Sequence, residues 1–178
     1  PDDVMRGARP AGQRVVLYDD DHYYLGGALA ELLRGEGFEV TLVTPETRVS
    51  EWTINTMEQS RIQRRLLELG VELRTSHALV GSVPGVARIA CTYTERELEL
   101  ACDALVLVTA RLPQDGLAAD LAAMPGHPVV RAFGDAWTPG TIAAAVWDGH
   151  RYAEELDEPP SDGDRPPFRR EVIALAAD

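Results

Sequence analysis

The stretch RVVLYDDDHYYLGGALAELLRGEGFEVTLVTP, residues 14–45, constrains the fold more than any other. A short apolar run, residues 14–18, reads as a strand. Leu25, Leu29, Leu32 and Leu33 then recur on one side of a helix over residues 25–34, and Gly35 and Gly37 stop it. A second strand follows over residues 38–43. Strand, turn, helix, strand is the opening unit of a dinucleotide-binding fold, and parallel strands joined this way need helices to cover the sheet. The turn is the anomaly. A working turn carries G-x-G-x-x-G: one glycine for the bend, one for backbone approach to the pyrophosphate, one for close helix–strand packing. Counted from the strand end, those places fall on Asp19, Asp21 and Tyr24.

The rest of the chain extends the same pattern. Ile54, Met57, Ile62, Leu66 and Leu69 predict a second helix over residues 52–69, stopped by Gly70, and residues 71–76 read as a third strand. Short alternating runs at 82–83, 86–93 and 97–102 predict an antiparallel meander. Residues 104–109 are continuously apolar and read as a buried parallel strand. Residues 112–127 read as a loop or short helix and 129–133 as a further strand. A third long helix is expected over 138–156, with Thr138 as N-cap and Pro139 as its first residue.

Composition closes off several functions. The net charge of −12 leaves no cationic excess for a nucleic-acid partner. No apolar run approaches the roughly 20 residues needed to span a bilayer, and the start has no apolar core for a signal peptide, so a cytoplasmic protein is expected. Cys91 and Cys102 form no C-x-x-C, and His22, His77, His127 and His150 are scattered, so neither a metal site nor a catalytic group is expected. The two cysteines fall on neighbouring strands of the meander, which leaves a disulfide open but disfavoured in a cytosolic chain.

The order of strands, helices and meander, with LELGVELRTSHALVGSV and DALVLVTARLP, resembles the NAD(P)-binding domain of flavoproteins with two dinucleotide domains. The fold class expected is therefore α/β: a Rossmann-like three-layer domain with a parallel sheet and a small antiparallel meander. VVRAFGDAWTPGTIAAAVWDGHRYAEEL resembles the closing segment of the FAD-type domain in such proteins. More narrowly, EWTINTMEQSRIQRRLLELGVEL and GDAWTPGTIAAAVWDGHRYAEEL are similar to the C-terminal region of the trimethylamine dehydrogenase and histamine dehydrogenase group. That group belongs to the NADH:flavin oxidoreductase family, with 2,4-dienoyl-CoA reductase as a relative, and the resemblance covers residues 4–173.

The resemblance implies an organisation and a role. Residues 1–13 would be an extended leading segment, 14–112 a degenerate NAD(P)-binding-type domain, 113–158 the closing segment of an FAD- or ADP-binding-type domain, and 159–178 a C-terminal tail. Family members carry FMN and a 4Fe–4S cluster in a barrel. Two cysteines cannot supply the four thiolates of such a cluster. The chain is thus expected to belong with the remainder of a full-length oxidoreductase and not to catalyse alone. Gly134 and Asp135 would contact ADP or FAD, with N–H groups from Thr138, Gly140, Thr141 and Ile142 pointing at the same ligand.

Trp52, in the polar setting RVSEWTIN, would be a docking point for a partner such as an electron-transfer flavoprotein. NAD is not expected at the first turn. Carboxylates roughly 5 Å from a phosphate cost about 3 kcal/mol per charge pair at an effective dielectric near 20. Thr44 also stands where an acid should grip the ribose. On residue type alone the aspartates are solvated acids capping the next helix, or repel nucleotide, or reflect simple drift; a divalent-metal site at Asp19–Asp21 is disfavoured, since three adjacent acids rarely converge. An NAD(P)H-dependent reductase domain with an unusual turn is the reading they disfavour.

Overall fold

The computed structural model describes residues 1–127 and 129–156. Two compact units are present, divided between Ala110 and Arg111.

In the first unit, α1 (Asp2–Met5) is a single turn that buries Val4, so the leading segment is not extended throughout. Four parallel strands follow the expected order. They are β1 (Arg14–Asp19), β2 (Glu39–Val43), β3 (Glu72–Arg74) and β7 (Ala104–Val108), arranged β3-β2-β1-β7. The antiparallel sheet contains β4 (His77–Val83), β5 (Val86–Cys91) and β6 (Glu97–Ala101) in that order. Two long helices connect the parallel strands: α2 (Tyr24–Gly35) and α3 (Gln59–Glu68).

The pleat of β1 explains the three layers. Side chains alternate between faces of a strand. Val15 and Leu17 join Leu29 and Leu33 of α2 and Leu66 of α3 in one core. Val16 and Tyr18 join Ala87 and Ile89 of β5 in the other. The parallel sheet is therefore covered by helices on one face and by the meander on the opposite face. That double burial is why β1 reads as an unbroken apolar run. Strand β7, at the sheet edge, buries only Val106 and Val108 and leaves Leu107 exposed, so it is less buried than its apolar run predicts.

Two local expectations are corrected. The helix expected over residues 52–69 is two pieces, a 3-10 turn Glu51–Ile54 and then α3. Met57 between them is left-handed at φ 61°. The Thr53 hydroxyl donates to the Ser50 carbonyl and the Thr56 hydroxyl to the Thr53 carbonyl. Such side-chain bonds compete with the helical ladder. Leu32, placed on the apolar side of α2, is exposed, whereas Leu29 and Leu33 are fully buried. Cys91 and Cys102 are both free. Cys91 pairs with His77 at one end of β5, while Cys102 follows Ala101, which pairs with Val86 at the other end.

The second unit holds α4 (Gly116–Ala122), a 3-10 turn Gly134–Ala136 and α5 (Ile142–Glu155). Among the described residues, 129–133 form no strand, contrary to expectation, for a strand needs a neighbour to bond and none is offered there. The tail expected over 159–178 lies outside the described residues. Gly134 alone is buried among the described residues of this unit.

Candidate functional site

Ligands of open α/β sheets bind outside the carboxyl ends of the strands. At that edge β1 ends in Asp19, which is fully buried. Its Oδ1 accepts the backbone N–H groups of Asp21 and His22, each at 3.2 Å. Its Oδ2 is buried with no hydrogen-bond partner. That oxygen occupies the side-chain space of Gly26: a Cβ added there would stand 2.3 Å from it. Burial pushes the Asp19 carboxyl up from 3.8 to about 6, against the opposing pull of the two N–H bonds.

Asp19 is thus no solvated acid, and the aspartates do not cap α2. The N-cap is Tyr23 and makes no side-chain cap bond. Asp20 instead faces His22 Nε2 at 3.4 Å, with Glu46 at 3.9 Å from the same nitrogen. His22 is left-handed, and its carbonyl accepts the Trp52 N–H at 3.0 Å. The reach from strand end to helix is longer than a G-x-G-x-x-G turn. The glycine that lets helix and strand approach is Gly26, two residues beyond the place counted from sequence. Residue spacing missed it, although paired glycines inside an apolar helical pattern are a recognised sign of close backbone approach. Gly27 serves similarly against α3, since a Cβ there would meet Ile62 at 3.0 Å. At the end of β2, Thr44 is fully buried; its N–H bonds the Arg74 carbonyl and its carbonyl accepts the His77 N–H. It points no acid at a ribose.

In the second unit, a cavity of about 440 Å³ is lined by Gly134, Asp135, Gly140, Thr141 and Ile142, together with Phe133, Ala145 and Val146. Five of the six residues singled out from sequence converge there, and Thr138 is the exception. Its N–H is already bonded to the Gly134 carbonyl at 2.8 Å. Nor is Thr138 the cap of the long helix. That role falls to Thr141, whose side chain accepts the Ala144 N–H at 3.3 Å. Asp135 accepts the Gly140 N–H at 3.4 Å, and this turn delays the helix start by three residues relative to the Thr-Pro signal.

Gly134 is left-handed at φ 61°, and a Cβ there would meet Ala145 at 3.1 Å, so glycine is required for the turn to lie against α5. Thr141→Ala is expected to cost about 1 kcal/mol. Faster amide exchange at Ala144, with the middle of α5 unchanged, is the signature; unaltered exchange there would contradict the capping role.

A second groove of about 720 Å³ runs between α4 and α5, past Phe133, Trp137 and Tyr152. Trp137 is well exposed on it, and no described side chain of α4 or α5 is buried. Trp52, in the first unit, is 59% exposed beside exposed Ile54 and Met57. Among the described residues no group of three or more His, Cys, Asp or Glu could hold a metal, and no helix is long and apolar enough to cross a membrane.

The OYE-like second alpha/beta domain family matches residues 1–89. The structure of histamine dehydrogenase from Rhizobium sp. 4-9 is 43% identical, with a TM-score of 0.83 over 99% of this chain and 28% of that one. That of 6-hydroxypseudooxynicotine amine oxidase from Pseudomonas geniculata N1 is 35% identical, with a TM-score of 0.77 over 84% of this chain and 23% of that one. Dimethylamine dehydrogenase of Hyphomicrobium sp. (strain x) is 28% identical over 98% of this chain and 27% of its own length. The chain therefore spans only about a quarter of the length of these relatives.

Proposed function

Because this chain belongs to the family of OYE-like second alpha/beta domains, and matches about a quarter of each amine-oxidising relative, we propose that it is the C-terminal nucleotide-binding-type region of an amine-oxidising oxidoreductase. In this reading residues 14–112 are the degenerate NAD(P)-binding-type domain and 113–158 the closing segment of an FAD- or ADP-binding-type domain. The amine is oxidised elsewhere in the enzyme, where FMN and a 4Fe–4S cluster would sit. These 178 residues offer no fit for the cluster, having two cysteines that stand at opposite ends of a strand pair. The role here is to scaffold the enzyme and hold a nucleotide in the second unit, without NAD at the β1–α2 turn.

The observation that carries the reading is the buried Asp19 carboxylate, bonded to the turn amides where a pyrophosphate would need them. The second unit supports it as well. Ile142 and Val146 are exposed on α5, and such a helix is stabilised mainly by packing its apolar face. The remainder of the oxidoreductase is the partner that would cover them. Asp135 and the Gly134 turn are suited to a ligand hydroxyl or a ring edge, with the first turn of α5 behind them.

Calorimetric titration with NADH, NADPH, ADP and FAD at one salt concentration tests the proposal. ADP or FAD is expected to bind weakly, and Asp135→Ala to abolish that binding. Micromolar binding of NADH or NADPH would overturn the assignment of the first turn. A second reading draws on Trp52, Ile54 and Met57, which together offer an apolar docking point for a partner such as an electron-transfer flavoprotein. Loss of partner binding in Trp52→Ala, with nucleotide titrations unaltered, is its expected signature.

A further inference from the structure

The backbone amides between a first strand and the helix that follows are the part of this fold that holds phosphate. Here two of them, from Asp21 and His22, already have an anionic acceptor in Asp19 Oδ1. The carboxylate is fully buried, and its second oxygen has no hydrogen-bond partner. It fills the space left by the missing side chain of Gly26, the residue at which the helix comes closest to the strand end. We infer that Asp19 is a built-in occupant of the anion position, and that occupancy, rather than repulsion by the aspartate run, closes this crevice to a dinucleotide pyrophosphate. The inference rests on the reading that the turn takes no dinucleotide, and names the residue responsible.

Two arguments favour occupancy over repulsion. Asp20 is half exposed and faces His22, so its field at the turn is weakened by solvent. Asp19, by contrast, is tethered two and three residues from the amides it bonds. A free phosphate would have to displace a group whose effective concentration no dissolved ligand approaches. It would also need the volume that the carboxylate fills against Gly26. Asp19 is therefore the residue that sets ligand specificity at this turn.

The test is an NMR titration of the 178-residue chain with inorganic pyrophosphate and, separately, ADP, following the Asp21 and His22 amides. Wild type and Asp19→Asn are expected to be silent, because asparagine keeps the shape and the acceptor without the charge. Asp19→Gly is expected to show saturable shifts at both amides, with affinity about tenfold or more above wild type, the worth of freeing one charge-assisted acceptor site. Silence of a folded Asp19→Gly would overturn occupancy, and so would equal binding by Asp19→Asn, which would return the effect to charge. Binding by wild type would instead overturn the parent reading.

If Asp19→Gly does not fold, wild type decides alone. As the Asp19 carboxyl carbon titrates, the Asp21 and His22 amides should shift with the same midpoint. Amides indifferent to that titration would show that the carboxylate does not occupy the position.

Discussion

Gly26→Ala should destabilise the chain by about 3 kcal/mol, and removing the Asp19 side chain in the same molecule should return most of that loss. Alanine in a helix interior is ordinarily favoured over glycine by about 1 kcal/mol. Here the added methyl would stand 2.3 Å from Asp19 Oδ2, 2.4 Å from Cγ and 2.8 Å from Cβ. Those atoms cannot move aside cheaply: the side chain is fully buried, and its other oxygen is bonded to two backbone amides. Either the helix lifts from β1 or the carboxylate abandons both amides, and overpacking of this kind costs about 1–3 kcal/mol before the lost bonds are counted.

The coupling is the discriminating quantity. Denaturant unfolding of wild type, Gly26→Ala, Asp19→Ala and the double variant should give a non-additivity of about 2 kcal/mol. Additive effects would mean that the two residues do not meet. Gly27→Ala, whose methyl would press on Ile62 Cγ2 and Ser50 Oγ at 3.0 and 3.2 Å, should cost less, because those contacts are tight by only a few tenths of an ångström where the Gly26 methyl would overlap Asp19 outright.

The second large effect is a pH dependence. The Asp19 carboxyl is raised from 3.8 to about 6 by burial, so between those values the folded chain holds a proton that the unfolded chain has released. Stability therefore falls as pH rises through this window. It is undiminished by Asp19 below about pH 4, and above pH 6 it is lower by about 3 kcal/mol. Asp19→Asn has no such proton. The difference in unfolding free energy between wild type and Asp19→Asn should shift by about 3 kcal/mol in favour of the variant from pH 4 to pH 7, with other titrating groups cancelling. A difference that stays flat would place Asp19 in solvent. Asp103 behaves in the opposite sense. The Arg14 guanidinium and the Gln13 and Arg14 amides hold its carboxyl well below the usual range, so its contribution is lost only in strong acid.

Both predictions concern one carboxylate whose type and position were plain in the sequence and whose environment was not. The candidate site in the second unit was more legible. Gly134, Asp135, Gly140, Thr141 and Ile142 lie within nine residues, so any turn that leads into a helix brings them together. What failed there was Thr138, which neither lines the cavity nor caps the helix. Thr138-Pro139 is a genuine helix-start signal. The Asp135 side chain nevertheless binds the Gly140 amide, and the helix waits for Thr141. A bond between residues five apart outweighed a local preference.

Periodicity settled the architecture. The unbroken apolar runs of β1 and β7, the helical spacing of leucines in α2 and the short alternating runs of the meander each report a local repeat. Such a repeat fixes element type and which faces must be covered. The missing turn glycines were equally plain, because a side chain at those places is a fact of the sequence. Only the tertiary structure decided which aspartate went inside, which glycine it met and where the helix expected over residues 52–69 would break. Those outcomes depend on what a side chain finds around it once α2 and α3 pack on the sheet. Desolvation, steric contact and competition for backbone amides act between residues that the sequence does not mark as neighbours.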